Sequence, residues 1–272
     1  MDFSDQISRL KRAHQLGAEL SADIQAWGGS NPCGARANIA EDRLSWELRL
    51  QVSQPPPLAD WGFRFGEAVN HLRATLDNLV VAIARQSGVT DEKQLRALMF
   101  PITGTLKEWK SRQKALVCLP DWCRDALEQV QPFLRPEQGG SLDEDLLLAL
   151  RDLDNSTKHH LQVKPDLAPQ TIEHAPAVEF ETDEGAAASV PPDTEVVVAP
   201  FEDGAVLLRH RTKGRIKSVQ GQYSFAAQVQ AVLPDGRAFG VTDLLAALCE
   251  YTRVVMEHVI GTAEQTEGKS VA

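Results

Sequence analysis

No stretch of this chain approaches the roughly 18 consecutive apolar residues that a membrane-spanning helix needs, so no such helix is expected. The opening Met1-Asp2-Phe3-Ser4-Asp5 lacks the basic-then-apolar order of a secretory signal, which leads to the expectation of a cytoplasmic protein. Cysteine is scarce. Cys33, Cys118, Cys123 and Cys249 are scattered, no CxxC occurs, and no histidine lies near Cys118 and Cys123. Free thiols are therefore expected in place of a disulfide framework or zinc site, with neither metal nor cofactor. There is no glycine-rich phosphate loop and no internal repeat. Positive charge is in deficit: the formal net charge is −10, which argues against broad nonspecific nucleic-acid binding and keeps the chain soluble. A local basic patch stays open, as does the oligomeric state.

What is present is ordinary globular material. The 272 residues are 43% hydrophobic and 24% charged, enough for one large domain or two small ones. The chain is organised around Leu58–Gln86, which follows Pro55-Pro56-Pro57 and reads as one long amphipathic helix. Leu58, Trp61, Phe65, Val69, Leu72, Leu76, Leu79, Val80 and Ile83 share a broad face at 3.6-residue periodicity. Asn70, Arg73 and Asp77 fall on one flank of it, because spacings of three, four and seven stack on a helix. His71 lies on the opposite flank.

Residues 3–27 predict a first helix capped by Ser4. Residues 43–52 alternate strictly and predict a strand, with Leu44, Trp46, Leu48, Leu50 and Val52 on one side. Ala35, Ala37 and Ile39 are its expected hairpin partner. Shorter helices are expected from Thr90 or Asp91 to Phe100, near Leu106–Leu116, and from Pro120 to about Val130. Ser141 is expected to cap a helix from Leu142 to about His159, with Glu144 completing a capping box.

Beyond Lys164 the helical periodicity stops. Short β-like runs follow at 177–182, 195–199, 205–211, 215–219 and 222–233, with 183–193 read as a loop. Thr242 is expected to cap a last helix that packs back. The sequence thus predicts an α+β protein with a mainly helical region, 1–161, carrying an inserted β-hairpin at about 35–52. A β-rich section with a C-terminal helix, 164–262, follows and either stands alone or, where the 35–52 hairpin joins its sheet, forms one interleaved unit with the first. Residues 263–272 are expected to be a disordered polar tail.

Four segments together resemble an uncharacterised bacterial protein family. They are Asn70-His71-Leu72-Arg73-Ala74-Thr75-Leu76-Asp77-Asn78-Leu79, Phe100-Pro101-Ile102, Val130-Gln131-Pro132-Phe133 and Leu153-Asp154-Asn155-Ser156-Thr157-Lys158-His159-His160. They are similar to that family's H-N-L-R-S-A-L-D-H-L, F-P-I, L-Q-P-Y and L-x-N-x-x-D-K-H-R, in order, over about residues 58–161. Departures are the Asn70-His71 order, Thr157 where the family has Asp, and His160 where it has Arg. The resemblance supplies residues to watch and no reaction. A second, distant similarity is to the all-helical HEPN (higher eukaryote and prokaryote nucleotide-binding) ribonucleases. Their signature is Arg followed by His four to six residues later. Arg9–His14 and Arg253–His258 fit it, a match this composition gives roughly once by chance.

Two candidate sites follow. The first is a helical constellation: Asn70, Arg73 and Asp77 with Asn155, Lys158 and His159. A histidine, His159 or His71, near a carboxylate such as Asp77 could do acid–base work while Arg73 and Lys158 hold an anion, as in a metal-independent nuclease or other hydrolase. The same residues also suit helix capping and an ion pair that staples two helices.

The second candidate is Arg209, Arg211, Lys213, Arg215 and Lys217, five positive charges in nine residues. A three-residue loop at Thr212-Lys213-Gly214 would set Arg211 opposite Arg215 and Arg209 opposite Lys217, a repulsion that an anionic partner would relieve. A two-residue turn would leave the charges only protecting a sheet edge. The expected function is a binding or interaction module for an anionic ligand or protein partner, with the nuclease as the alternative.

Overall fold

The computed structural model describes residues 1–158, 166–191, 193–197, 202–233 and 235–270; the side chains of 157–158, 166–176, 222–227 and 266–270 are not described. The protein is α+β. Its elements in chain order are α1 (Ser4–Gly29), β1 (Cys33–Ile39), β2 (Ser45–Val52), α2 (Leu58–Gln86), α3 (Glu92–Ala97), α4 (Leu106–Arg112), α5 (Asp121–Gln129), α6 (Leu146–Lys158), β3 (Asp166–Phe180), α7 (Asp183–Ala188), β4 (Asp193–Val196), β5 (Val206–Arg211), β6 (Ile216–Val232), β7 (Ala238–Gly240) and α8 (Val241–Ser270). They fall into two compact units. The first comprises Met1–Ser21, Ala59–Lys164 and Ala231–Ala272; the second comprises Ala22–Leu58 and Pro165–Gln230. Both are discontinuous in sequence, so the chain crosses between them four times and neither division at 161 nor one at 164 describes the whole.

The first unit is built on α2. Trp61, Phe65, Val69, Leu72, Leu76, Leu79, Val80 and Ile83 are all buried, so the apolar stripe read from the sequence is the core face. The helix stops by a backbone device. Gly88 adopts φ +92°, its N–H donates to the Arg85 carbonyl at 3.0 Å, and the Val89 N–H donates to the Ala84 carbonyl at 3.0 Å. Around it, the Gln6 Nε2 donates to the Asn78 carbonyl at 2.9 Å and ties α1 to α2. Helix α8 packs on α5 and α6. Gly17 lets α1 approach α8 closely: a Cβ there would sit 3.3 Å from Leu245 Cδ2.

Helix α6 begins later than its sequence suggests. Ser141 caps only a single 3-10 turn at Leu142–Glu144, through the Asp143 N–H. Asp145 starts the helix proper, its Oδ1 accepting from Leu147 N at 2.9 Å and Leu148 N at 3.2 Å. Its other oxygen takes Arg135 Nε at 2.9 Å, with the Asp145 side chain only 1% exposed. A carboxylate that can accept two N–H bonds and one guanidinium outcompetes a serine for the start of a helix. Asp145→Ala loses the cap and strands Arg135, so unfolding in urea is expected to show a loss of about 2–3 kcal/mol with an unchanged slope.

The second unit holds a four-stranded sheet ordered β1-β2-β5-β4, in which every adjacent pair is antiparallel. Trp46, Leu48 and Leu50 of β2 are buried against Leu207, Leu208 and Ile216. Leu44, expected on that face, is 38% exposed because it lies in the turn before β2, where Arg43 has φ +62°. The hairpin of β1 and β2 therefore joins the later sheet, the second of the two placements its sequence allows. Strands β3 and β6 pair antiparallel along most of their lengths, and β7 adds at the end of β6.

Three further expectations meet a different structure. Residues 183–188 form helix α7, because the Thr182 hydroxyl accepts from Gly185 N and caps it before a run of alanines. The runs at 215–219 and 222–233 are one continuous strand, β6. Helix α8 extends to Ser270, past the start of the expected polar tail; Ala263, Glu264 and Gln265 are good helix formers, and propensity continues what packing began.

Candidate functional site

Arginine 73 is the centre of the site, and the backbone of a neighbouring loop holds it there. Its Nη2 donates to Asp77 Oδ1 at 2.7 Å and to the Phe100 carbonyl at 2.9 Å. The same Asp77 oxygen accepts the Phe100 N–H at 2.8 Å. Both polar atoms of one peptide residue thus clip an i, i+4 ion pair, which offsets much of the cost of burying it. The Arg73 side chain is 8% exposed. Its Nη1 is buried and has no hydrogen-bond partner among the described residues.

The loop that carries Phe100 is itself fixed by Gln131, which is 1% exposed. Its Oε1 accepts from Thr103 N and Oγ1 at 3.1 and 2.9 Å, and its Nε2 donates to the Pro101 and Leu127 carbonyls at 3.0 and 2.9 Å. All four hydrogen-bonding positions of the amide lie within the first unit, so the loop has one well-defined position.

A pocket of about 160 Å³ opens beside this clip. Arg73, Arg112, Arg151, Asp154 and Asn155 supply its polar lining; Met99, Phe100, Ile102, Ala115 and Leu116 supply much of the rest. Arg151 is held by Asp152 at 2.9 Å. Arg112 and Asn155 are exposed and make no ion pair or side-chain hydrogen bond among the described residues. Asp154 is 2% exposed and is engaged by a further contact. Arg73 of α2 and Asn155 of α6, placed in one constellation by their sequence, do line the same pocket.

The other residues of that constellation are elsewhere or not described. Asp77 is not part of the lining and holds Arg73, which is. Asn70 is exposed and is not part of the lining. His71 belongs to a shallow depression with Asp5, Ser8, Arg9 and Arg12, and its Nε2 lies 3.8 Å from Glu67. The side chain of Lys158 and the whole of His159 and His160 lie outside the described residues. Of the two Arg–His pairs, Arg253 is taken up by Glu250 and Glu257, each at 2.5 Å, and His258 is exposed. Arg112 and Arg151 were missed in sequence. Arg151 carried a signal, since Asn155 follows it by one helical turn. Arg112 carried none, because it comes from a different helix.

The basic segment is not a hairpin. β5 pairs with β2 and β4, whereas β6 pairs with β3, so Arg211 does not face Arg215 and Arg209 does not face Lys217. That pairing buries Trp46, Leu48 and Leu50 with Leu207 and Leu208, and it sets Arg209 opposite Glu47 and Glu195, with Nε 3.1 Å from Glu47. Arg215 reaches Glu181 at 3.3 Å and Lys217 reaches Glu179 at 2.5 Å. The hydrogen bond from Lys217, with a second from Ser218, holds the Glu179 carboxyl below its usual range. Arg211 and Lys213 make no ion pair among the described residues. The local excess of positive charge is therefore smaller than the count of five suggests.

The four cysteines are free thiols. Burial pushes Cys123 up to about 12 and Cys249 up to about 11, so their thiolates are scarce at neutral pH. In native protein, iodoacetamide at about pH 8 is expected to spare both and to reach Cys118 first, read by peptide mass spectrometry. Among the described residues no group of three His, Cys, Asp or Glu side chains is placed to hold a metal ion, and no helix is long and apolar enough to cross a membrane. Comparison of the chain with protein-family models, with curated proteins and with solved structures gives no match.

Proposed function

We propose that this chain binds a small anionic ligand in the pocket beside Arg73. The observation that carries the reading is the unpaired, buried Nη1 of Arg73 in the wall of a pocket whose rim has a free guanidinium, Arg112, and a free amide, Asn155. A buried donor without a partner costs about 1–3 kcal/mol, and more when it is charged; an oxygen supplied by a ligand removes that cost. Arginine also presents its donors as a fork that matches carboxylate or phosphoryl oxygens.

The four segments that resemble the uncharacterised bacterial family each contribute here. The Arg73–Asp77 pair, the Phe100 peptide, the Gln131 brace and the Asp154-Asn155 wall are one from each. On this reading the motifs that resemble that family mark a binding pocket. The basic segment at 209–217 is secondary, because its charges are largely answered by glutamates.

Isothermal titration of acetate, benzoate, sulfate and inorganic phosphate against the wild type and Arg112→Ala tests the reading. At least one anion should bind at one per chain, and Arg112→Ala should weaken it about ten-fold or more with the melting temperature unchanged. If none binds to the wild type, the proposal fails. Cleavage of RNA in EDTA, lost in Arg73→Lys with folding intact, would instead support the nuclease.

A further inference from the structure

Where α1 meets α2 in the first unit lies a second pocket, of about 380 Å³, that shares no lining residue with the one beside Arg73. Helix α1 contributes Asp5, Gln6 and Arg9, and α2 contributes Asn78, Val81 and Ala82, residues whose spacings of three and four place them on one face of each helix. The two helices are tied at both ends of this stretch of α2. Asp2 N donates to Gln86 Oε1 and Gln86 Nε2 donates to the Asp2 carbonyl, each at 3.0 Å. Gln6 Nε2 donates to the Asn78 carbonyl at 2.9 Å. Between the ties Val81 and Ala82 supply the apolar lining.

The polar groups of this pocket are unspent. Asp5 and Arg9 are four residues apart with the acid first, the order that favours an ion pair along a helix. Both line the pocket, yet neither makes an ion pair or side-chain hydrogen bond among the described residues. The Asn78 side-chain amide has no hydrogen bond among them either. Gln6 is 4% exposed, spends its Nε2 on α2 and leaves its Oε1 without a partner among the described residues. The other two charged groups of the lining are engaged: Asp2 Oδ1 accepts from Ser4 N at 2.9 Å, and Arg85 lies 3.4 Å from Glu92.

A carboxylate and a guanidinium thus stand one helical turn apart, with their side-chain roots about 5–6 Å from each other. A ligand with a single charge would answer one of them and be set against the other. A molecule that carries an ammonium and a carboxylate on one carbon answers both. The volume falls within the ~300–1,000 Å³ of small-molecule sites.

We infer that this pocket is a site for a free α-amino acid with a small apolar side chain. The ammonium lies against Asp5 and Gln6 Oε1, and the carboxylate lies against Arg9 and the Asn78 amide. The side chain lies against Val81 and Ala82. This site is separate from the anion site beside Arg73.

Isothermal titration of the full chain with L-valine, isobutylamine and 3-methylbutanoate dissects the head group. The amine lacks valine's carboxylate, and the acid lacks its ammonium. L-Valine should bind at one per chain and at least about ten-fold more tightly than either. Asp5→Asn and Arg9→Gln should each weaken L-valine about ten-fold or more with the melting temperature unchanged, since neither side chain holds another element. Arg112→Ala should leave L-valine binding as it is, even where it weakens 3-methylbutanoate held beside Arg73. No binding of L-valine, or affinity for it no greater than for the amine or the acid, would overturn the inference. So would L-valine binding that survives both Asp5→Asn and Arg9→Gln, or that is lost in Arg112→Ala.

Discussion

Asp77→Ala is expected to lower the unfolding free energy by about 3 kcal/mol, the low end of the range for breaking a buried ion pair because Asp77 is 22% exposed. The loss has two parts. Arg73 stays charged and almost wholly buried with its carboxylate gone, and the Phe100 N–H loses the oxygen it donates to. Replacing both partners, Arg73→Met with Asp77→Leu, removes the buried charge but leaves the Phe100 N–H and carbonyl unanswered. The double variant should therefore be more stable than Asp77→Ala alone and less stable than the wild type. Urea unfolding of the three proteins decides the matter. A cost for Asp77→Ala under about 1 kcal/mol would mean that water reaches the pair and that Arg73 Nη1 is solvated, with no need of a ligand oxygen. The same experiment bears on ligand binding. Without Asp77 the Arg73 guanidinium is free to turn, so anion affinity should fall even though the carboxylate is not itself part of the pocket lining.

How far the sequence could be read depends on where each interaction is made. The α2 stripe was legible because one periodic face meets one core, and Arg73–Asp77 was legible because i, i+4 neighbours on a helix must meet. The convergence of α2 and α6 could be guessed, since both carry polar residues at the edges of apolar faces. Gln131 shows the limit. Nothing in Val130-Gln131-Pro132-Phe133 says that its amide will brace Thr103 and Pro101, some thirty residues upstream, because three of its four partners are backbone groups that any residue has. The β strands show another. Alternation found β2, but strand partners are set by long-range pairing. In the basic segment the nearest-neighbour hairpin was displaced by pairing of β5 with β2, more than 150 residues earlier, where Glu47 meets Arg209. The start of α6 was misplaced by four residues for a local reason: two candidate caps, Ser141 and Asp145, sit one turn apart, and only the structure shows that Arg135 favours the second.

Gly214→Ala should be about as damaging as a core substitution, although the residue lies in a link between strands. Its φ is not in the left-handed region, so backbone strain is not the reason. The cause is contact: a Cβ at Gly214 would lie 2.3 Å from the Cα of Gly185 and 2.5 Å from its carbonyl carbon and oxygen. Those are backbone atoms of α7 and cannot rotate away as a side-chain tip would. Either α7 or the 212–215 link must shift. That shift also breaks the seat of Ser189, whose Oγ accepts from Lys213 N at 3.0 Å and Gly214 N at 3.1 Å. Overpacking of this kind costs about 1–3 kcal/mol, and the two lost hydrogen bonds put Gly214→Ala at the upper end. Gly185→Ala is the internal comparison. Its Cβ would meet Gly214 Cα at 3.0 Å and Thr182 Oγ1 at 3.2 Å, so a few tenths of an ångström of movement suffice and the cost should be smaller. Hydrogen exchange should show faster exchange at Lys213 and Gly214 amides in Gly214→Ala, because their acceptor has been displaced. If Gly214→Ala is no less stable than the wild type and those amides remain protected, α7 does not dock on this link in solution, and the placement of Arg211, Lys213 and Arg215 around it must be redrawn.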